Sequence, residues 1–326
     1  MTIMHKKEIT GPAVWKGGDF NDDTSWIHVL SAQEIDGIDA MLAKLEQRGT
    51  VFPNFGRNDI SIGSVSTTLE TISNELENGR GFALLRGLPV ERYSEEQINI
   101  IYYAIGLFMG KPVPQNPRGD LLGLVMHVGD ATKKETRVYE TNLYLPYHTD
   151  PSDVVALLCL RKAKSGGRSS LVSSAAIYNE VLKRCPEMLA LFYRPLFIAH
   201  LGDKTRTPIF SFHKGKLSCR YLRQYFELAH EEIGMPLSCI EIEALDLFDS
   251  IMMAPEMRID MMMEPGDVQF ANNYAVLHSR TAFEDHAEED LRRKKLRLWL
   301  KMENARPLAP EFPGRNGFPD KQPSAA

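Results

Sequence analysis

Ile35, Ile38, Met41, Leu42 and Leu45 recur at the three-to-four-residue interval that lines one face of a helix. Ser31-Ala-Gln-Glu34, just ahead of them, is a capping box in which serine and glutamate satisfy each other's free amides. Leu69, Ile72 and Leu76 predict a second amphipathic helix that stops near Gly79. A second capping box, Ser94-Glu-Glu-Gln97, opens a third helix carrying Ile98, Ile101, Tyr102, Ile105 and Phe108, closed by Gly110 shortly before Pro112. Between these two helices, Gly81-Phe-Ala-Leu-Leu-Arg86 has the length and unbroken apolarity of a buried strand, and Gly87-Leu-Pro89 turns the chain out of it. Residues 1–68 thus read as a helical lead-in to a mixed region.

From about residue 121 the strand signals dominate. Val154 to Leu160 is a continuous apolar run, followed by the turn Ser165-Gly-Gly167. Pro186 begins a short helix through Leu189 and Leu191. Pro208 to His213 and Lys216 to Tyr221 flank Lys214-Gly215 as a hairpin. Ser238 to Glu241 caps one more helix, with Ile242, Leu245 and Phe248 as its apolar face. Strands return at Asp260 to Met263, Val268 to Ala271 and Lys295 to Leu300. Short strands with a helical insert predict an α+β, mainly β chain: a double-stranded β-helix (jelly roll) core with flanking and inserted helices. No internal repeat or linker divides residues 1–326, which read as a single domain. Pro307, Pro310, Pro313, Pro319 and Pro323 make residues 304–326 an extended tail rather than a packed element.

Composition narrows the function. Forty-three per cent hydrophobic residues can fill a core, and a net charge of −5 with pI near 6.0 gives no electrostatic footprint for nucleic acid or an anionic membrane. No apolar run approaches the ~18 residues of a spanning helix, and the first twenty residues lack a signal-peptide core. Cys159, Cys185, Cys219 and Cys239 form no CxxC pair and read as buried free thiols in a reducing compartment. A cytoplasmic protein acting on a small molecule is expected, with neither nucleic acid nor membrane as partner; a homo-oligomer is left open.

The chemistry lies in His148-Thr-Asp150, followed far downstream by His278. Residues i and i+2 on a strand face the same way, so His148 and Asp150 can share one metal. Two imidazoles and one carboxylate on one side suit non-haem Fe(II), because three positions stay open. An HxD alone occurs by chance in many chains; its setting is more specific. Tyr144-Leu-Pro-Tyr-His-Thr-Asp150 and Asn272-Asn-Tyr-Ala-Val-Leu-His278-Ser-Arg280 resemble the two iron-ligand segments of the TauD/TfdA family of 2-oxoglutarate-dependent dioxygenases. The resemblance runs from about Leu69 to Leu308 and includes the Gly-Gly turn and the closing Arg-rich strand.

That resemblance implies a jelly-roll fold, Fe(II), 2-oxoglutarate as cosubstrate and O₂, with His148, Asp150 and His278 as catalytic metal ligands. Family members that halogenate carry a small residue where Asp150 stands, so oxygen transfer is expected. Arg293 and Arg297 share one face of a strand while Leu296, Leu298 and Leu300 share the other. By resemblance, Arg293 anchors the distal carboxylate of 2-oxoglutarate and Arg297 contacts the substrate. The neighbouring Lys294 and Lys295 read as a basic surface run. Ser169, in Gly166-Gly-Arg-Ser169, stands where relatives have a threonine that helps hold the same carboxylate. Gln115, Asn142 and Tyr144, together with Tyr139 and Thr141, lie in loops that line the substrate side in the family. The residues that bind taurine there do not transfer cleanly. Arg297 and these polar loops suit a small anionic substrate, an amino or carboxylic acid. His127 reads as a core histidine, Asn272 and Asn273 as residues that orient His278 or a neighbouring loop, and the methionines from Met252 to Met263 as core filling. Two alternatives stay open: an iron oxygenase of the same fold that does not use 2-oxoglutarate, and a non-catalytic jelly-roll binding protein.

Overall fold

A computed structural model describes residues 4–127, 141–200 and 203–318. Tyr139, Pro319 and Pro323 lie outside these residues. The first part of the chain supplies β1 (Ile27–Val29), α1 (Ala32–Gln47), α2 (Val65–Asn78), β2 (Phe82–Arg86), α3 (Glu95–Met109), β3 (Gly110–Pro112) and β4 (Leu122–Val125). The middle part begins with β5 (Leu145–His148), β6 (Val154–Arg161), β7 (Ser165–Gly166), β8 (Ser169–Ser173), α4 (Ser174–Arg184) and α5 (Leu189–Tyr193). It continues with β9 (Leu196–His200), β10 (Asp203–Thr207), β11 (Phe210–His213), β12 (Lys216–Cys219), α6 (Arg223–Glu232) and α7 (Cys239–Met253). The closing strands are β13 (Arg258–Met261), β14 (Val268–Asn272), β15 (Val276–Arg280), β16 (Phe283–Glu284) and β17 (Lys294–Met302).

Two sheets organise these elements. The larger runs β1-β2-β14-β6-β17-β3, with β4 also on β17, and the smaller runs β13-β8-β15-β5. Only β1 and β2 pair in parallel among the described ladders. The two-residue period of each strand then sorts its side chains into layers. Ala83, Leu85, Val154, Ala156, Leu158, Leu296, Leu298 and Leu300 cover one face of the larger sheet and pack against α1, α2 and α3. Their neighbours Phe82, Leu84, Val155 and Trp299 face the other way and meet Leu171, Ile259, Met261 and Val276 of the smaller sheet. Val172 and Leu277 turn outward again, onto α4, α5 and α7. The class is therefore α+β, with an interior enclosed between the two sheets.

The three capping boxes form: Ser31 and Ser94 accept from the amides of Glu34 and Gln97, and Ser238 donates from its amide and hydroxyl to the Glu241 carboxylate. The β11–β12 hairpin turns at Lys214-Gly215, both at positive φ. In α7 the buried stripe is Ala244, Leu245, Phe248, Ile251 and Met252, and Ile242 is exposed. Of the four free cysteines, Cys159 and Cys219 are buried while Cys239 is exposed.

The expectation of an unpacked tail fails up to residue 318. Residues 303–318 form neither helix nor strand, as Pro307, Pro310 and Pro313 would dictate, yet they pack closely. Phe312 is fully buried under the Arg220 guanidinium, whose carbon stands 4.3 Å from its ring. Gly317 N donates to Pro151 O at 2.7 Å, Phe318 N donates to Pro114 O at 2.9 Å, and the Phe318 ring stacks over Trp299. The tail is thereby fastened to the loop after β5 and to the loop that carries Gln115.

Candidate active site

β5 and β15 are neighbours in the smaller sheet, and their register places His148 opposite His278. Directly opposed residues of an antiparallel pair share a face, so both imidazoles enter the interior. Asp150 follows two residues after His148. One ligand atom from each of the three lies within 4.8 Å of the others. The His148 Nε2–Asp150 Oδ1 distance is 3.8 Å, and His278 Nε2–Asp150 Oδ2 is 3.6 Å.

The surroundings leave this group able to hold a metal ion. His148 Nδ1 lies 2.8 Å from the Pro146 carbonyl, which can only accept, so Nδ1 carries the proton and Nε2 keeps its lone pair free. Burial, then the neighbouring His278, push the His148 pKa down to about 4, so the ring is neutral at physiological pH. Burial alone would raise the Asp150 carboxyl. Its hydrogen bond with His278, the Arg297 charge and the two imidazoles outweigh that effect and hold it well below the usual carboxylate range. Two imidazoles and one carboxylate, all shielded from water, are a donor set that fits a divalent ion. Trp299 Nε1 donates to Asp150 Oδ2 at 2.9 Å. Asn273 Oδ1 accepts from Asp150 N at 3.0 Å, and its Nδ2 donates to Ser152. Asn273 therefore sets the loop carrying Asp150, whereas Asn272 turns away to Leu76 and Glu77.

A second group lies on the same interior faces. Arg293, Lys295, Arg297 and Trp299 alternate inward along the β17 segment, and all four are buried. Arg293 Nη1 has no hydrogen-bond partner, although Asp285 accepts from the Arg293 backbone amide at 2.7 Å. Burial lowers the Arg293 guanidinium to about 10. Arg280 stands two residues beyond His278 on the same face, opposite Ser169 in the β15–β8 register. Its Nη1 donates to Thr141 O at 3.1 Å and its Nη2 to Leu143 O, and its Nε is buried without a partner. Gly166 and Gly167 deliver Ser169 to this place through φ of 73° and 71°. A Cβ on Gly166 would sit 2.3 Å from Ala282 O, so only glycine makes that turn.

Several sequence expectations meet here and others do not. Gln115 and Arg297 are held together: Arg297 Nε donates to Gln115 Oε1 at 2.7 Å, and Gln115 Nε2 donates to Arg297 O at 2.6 Å. Asn142 reaches the cationic group through its backbone, accepting from Phe283 N at 3.0 Å. Tyr144 does not join it. Its hydroxyl contacts Met253 Sδ at 3.4 Å and bonds Ser279, which points to the opposite face from His278. Lys295 is no surface residue, since only 3% of it is exposed; Lys294, one position earlier, points out to Glu95. Met263 is buried, but it touches Ser169 Oγ at 3.6 Å and so borders the site rather than merely filling core. His127 stands edge-on to Phe283, beside the same group.

Residues 47–299 match the profile of the taurine catabolism dioxygenase TauD, TfdA family, and the chain belongs to it: it is an Fe(II)- and 2-oxoglutarate-dependent dioxygenase. FR-33289 synthase of Streptomyces rubellomurinus (strain ATCC 31215) is 33% identical over 318 residues, 94% of each chain. Taurine hydroxylase-like protein SAT17 of Stachybotrys chartarum (strain CBS 109288 / IBT 7711) is 26% identical, over 87% of this chain and 77% of that one. Among solved structures, an asparagine oxygenase complex with Fe(II), 2S,3S-3-hydroxyasparagine and succinate shares the fold. Its TM-score is 0.68 at 17% identity, over 85% of this chain and 93% of that one. The non-heme iron oxygenase OrfP with Fe and alpha-ketoglutaric acid follows at TM-score 0.62 and 12% identity, over 84% and 94%.

The Trp299 indole gives a test of how far the surroundings set metal affinity. Trp299→Phe keeps an aromatic ring but removes the N–H that donates to Asp150 Oδ2. Loss of an outer partner of this kind weakens metal binding about 10–100-fold. Anaerobic titration with Fe(II) should show that loss, with the fold retained by circular dichroism; wild-type affinity would mean the indole only packs.

Proposed function

We propose that this enzyme oxidises an unactivated C–H bond of a small anionic organic substrate, with His148, Asp150 and His278 holding Fe(II) and Arg293 holding 2-oxoglutarate. The observation that carries the reading is a pair of preformed, buried groups on one interior face. One is the His₂–carboxylate set, and the other is an arginine whose Nη1 has nothing to bond. A buried guanidinium nitrogen without an acceptor is costly, and a carboxylate arriving with a ligand supplies the missing partner. When bound, ferrous iron supplies the redox chemistry that couples oxidative decarboxylation of 2-oxoglutarate, giving succinate and CO₂, to oxidation of the substrate.

The chain's own residues do the positioning. Asp150 contributes one negative charge to a site that Trp299 and Asn273 keep rigid. Arg293 presents a planar fork to the distal carboxylate, and Ser169 adds a hydroxyl beside it. Arg297, fixed by Gln115, faces the substrate side near Asp150 and suits an anionic group there. Asn142 lines the same side through the loop that Arg280 ties down. The two sheets are read as the walls of a double-stranded β-helix, and residues 1–326 as one oxygenase unit. They exclude water from the reacting centre. Four free cysteines and a ferrous centre suit the reducing cytoplasm. The names of the structural relatives, 3-hydroxyasparagine in one complex and L-Arg in another, favour an amino or carboxylic acid. Succinate formation stimulated by members of a panel of small acids tests this directly. If 2-oxoglutarate yields no succinate with any member, and does not bind anaerobically, the reading fails.

A further inference from the structure

Lys295 enters the interior from β17 between Arg293 and Arg297. Its Nζ meets the thioether of Met263 at 2.9 Å, a weak acceptor that offers a buried ammonium little in exchange for its hydration. The same sulfur receives Ser169 Oγ at 3.6 Å, so lysine and serine converge on one point. Arg293 Nη1 and Arg280 Nε are buried without partners, and the two guanidinium carbons stand 5.0 and 4.7 Å from the one Phe283 ring. The groups whose charge acts on Lys295 are Arg293 on its own segment, Cys159 from β6, Arg280 from β15 and Asp267 from the turn before β14. Asp267 is already held by Arg86, through two bonds of 2.9 and 2.8 Å. Cys159 is a thiol that burial keeps protonated. Asp285 is the remaining carboxylate acting on Arg293 and Arg280, its Oδ2 buried without a partner, so among the described residues three cations around Met263 meet one available anion.

We propose that Lys295 is the second cation of the 2-oxoglutarate clamp: its Nζ takes one oxygen of the distal carboxylate while Arg293 takes the other, with Ser169 Oγ donating alongside. The inference rests on the assignment of Arg293 to that carboxylate. A carboxylate offers about four lone-pair sites, so three donors on two oxygens is an ordinary arrangement. Met263 Sδ is then the placeholder that both Lys295 and Ser169 leave when the ligand arrives. Burial, reinforced by the Arg293 and Arg280 charges, pushes the Lys295 ammonium down to about 7, as expected of a charge with no counter-ion beside it. An incoming carboxylate supplies that counter-ion.

The test is anaerobic titration of the Fe(II)-loaded enzyme at pH 6.5 with two ligands. One is 2-oxoglutarate; the other is 2-oxopentanoate, which has the chelating end but no distal carboxylate. Lys295→Met should raise the 2-oxoglutarate Kd about 30-fold or more and leave the 2-oxopentanoate Kd within about twofold. Lys295→Arg should recover part of the loss. Removing an unpaired buried charge should hold or raise the apo Tm of Lys295→Met, which separates lost binding from lost folding. A 2-oxoglutarate Kd within about twofold of wild type, or equal losses for both ligands, overturns the proposal. Arg293→Ala in the same titration separates the two levels: if it weakens 2-oxoglutarate while Lys295→Met does not, the lysine role fails and the anchor stands. A wild type that binds no 2-oxoglutarate overturns both.

Discussion

Replacement of His148 or His278 by alanine should abolish stoichiometric Fe(II) binding and turnover together, with the fold retained. Each imidazole is one of three protein ligands in the proposed centre. Outer partners alone are worth about 10–100-fold in metal affinity, so losing a ligand should cost more than that. Neither substitution empties the hydrophobic core, since both rings face the site rather than the layers formed by the helices. His148→Ala leaves the Pro146 carbonyl without its donor, about 1–3 kcal/mol of stability at most. Asp150→Gly should act more sharply, because it removes the only negative charge among the three ligands and leaves the Trp299 N–H unsatisfied. It also opens a position where a halide could sit. Anaerobic titration with Fe(II) or Co(II), with circular dichroism of each variant, provides the measurement. Wild-type stoichiometry and affinity in both histidine variants would remove the metal centre from this site, and near-normal oxygenation by Asp150→Gly would remove the carboxylate from it.

Much of this site is legible in local periodicity, and the illegible part is long-range. The alternation of Arg293 and Arg297 with leucines is strand arithmetic, which β17 obeys, whereas Asp150 lies just past the end of β5, in a loop that Asn273 holds. The same arithmetic places Lys295 inside, since it lies midway between two inward arginines. A run of four basic residues disguised it, because such runs are usually solvated. Arg280 carries no spacing signal: only the β15–β8 register, which sets it opposite Ser169, brings it to the cationic group. The Trp299–Asp150 bond joins residues 149 apart, and nothing local announces it. α4 follows β8 with no intervening turn to announce it: Ser173, the last residue of the strand, caps the helix by accepting from Ala176 N. The tail misled for a related reason. Its prolines exclude helix and ladder but not packing, and Phe312 is driven inward by its own apolar area.

Arg293 and Arg297, four residues apart on one strand face, should separate cleanly by ligand. Arg293 is buried, its Nη1 has no partner, and its pKa is lowered by burial to about 10, which still leaves it charged throughout the working range. Removing one member of a buried charge-assisted pair costs roughly 2–5 kcal/mol, or about 30-fold and upward in affinity. Arg293→Ala should therefore raise the 2-oxoglutarate constant by at least that factor, with part of the rate restored by excess cosubstrate. Lysine keeps the charge but not the planar fork, so Arg293→Lys should fall between. Arg297 is engaged differently: Gln115 holds its Nε, and its charge helps keep Asp150 ionised. Arg297→Ala should weaken the organic substrate while changing 2-oxoglutarate affinity much less, and Gln115→Ala should follow it more mildly. Steady-state constants for both ligands, or the metal-to-ligand charge-transfer band of the anaerobic complex, distinguish these effects. Equal losses of both ligands in both variants would dissolve the division of roles. Were 2-oxoglutarate binding indifferent to both arginines, an iron oxygenase that does not use it would become the better account of this interior.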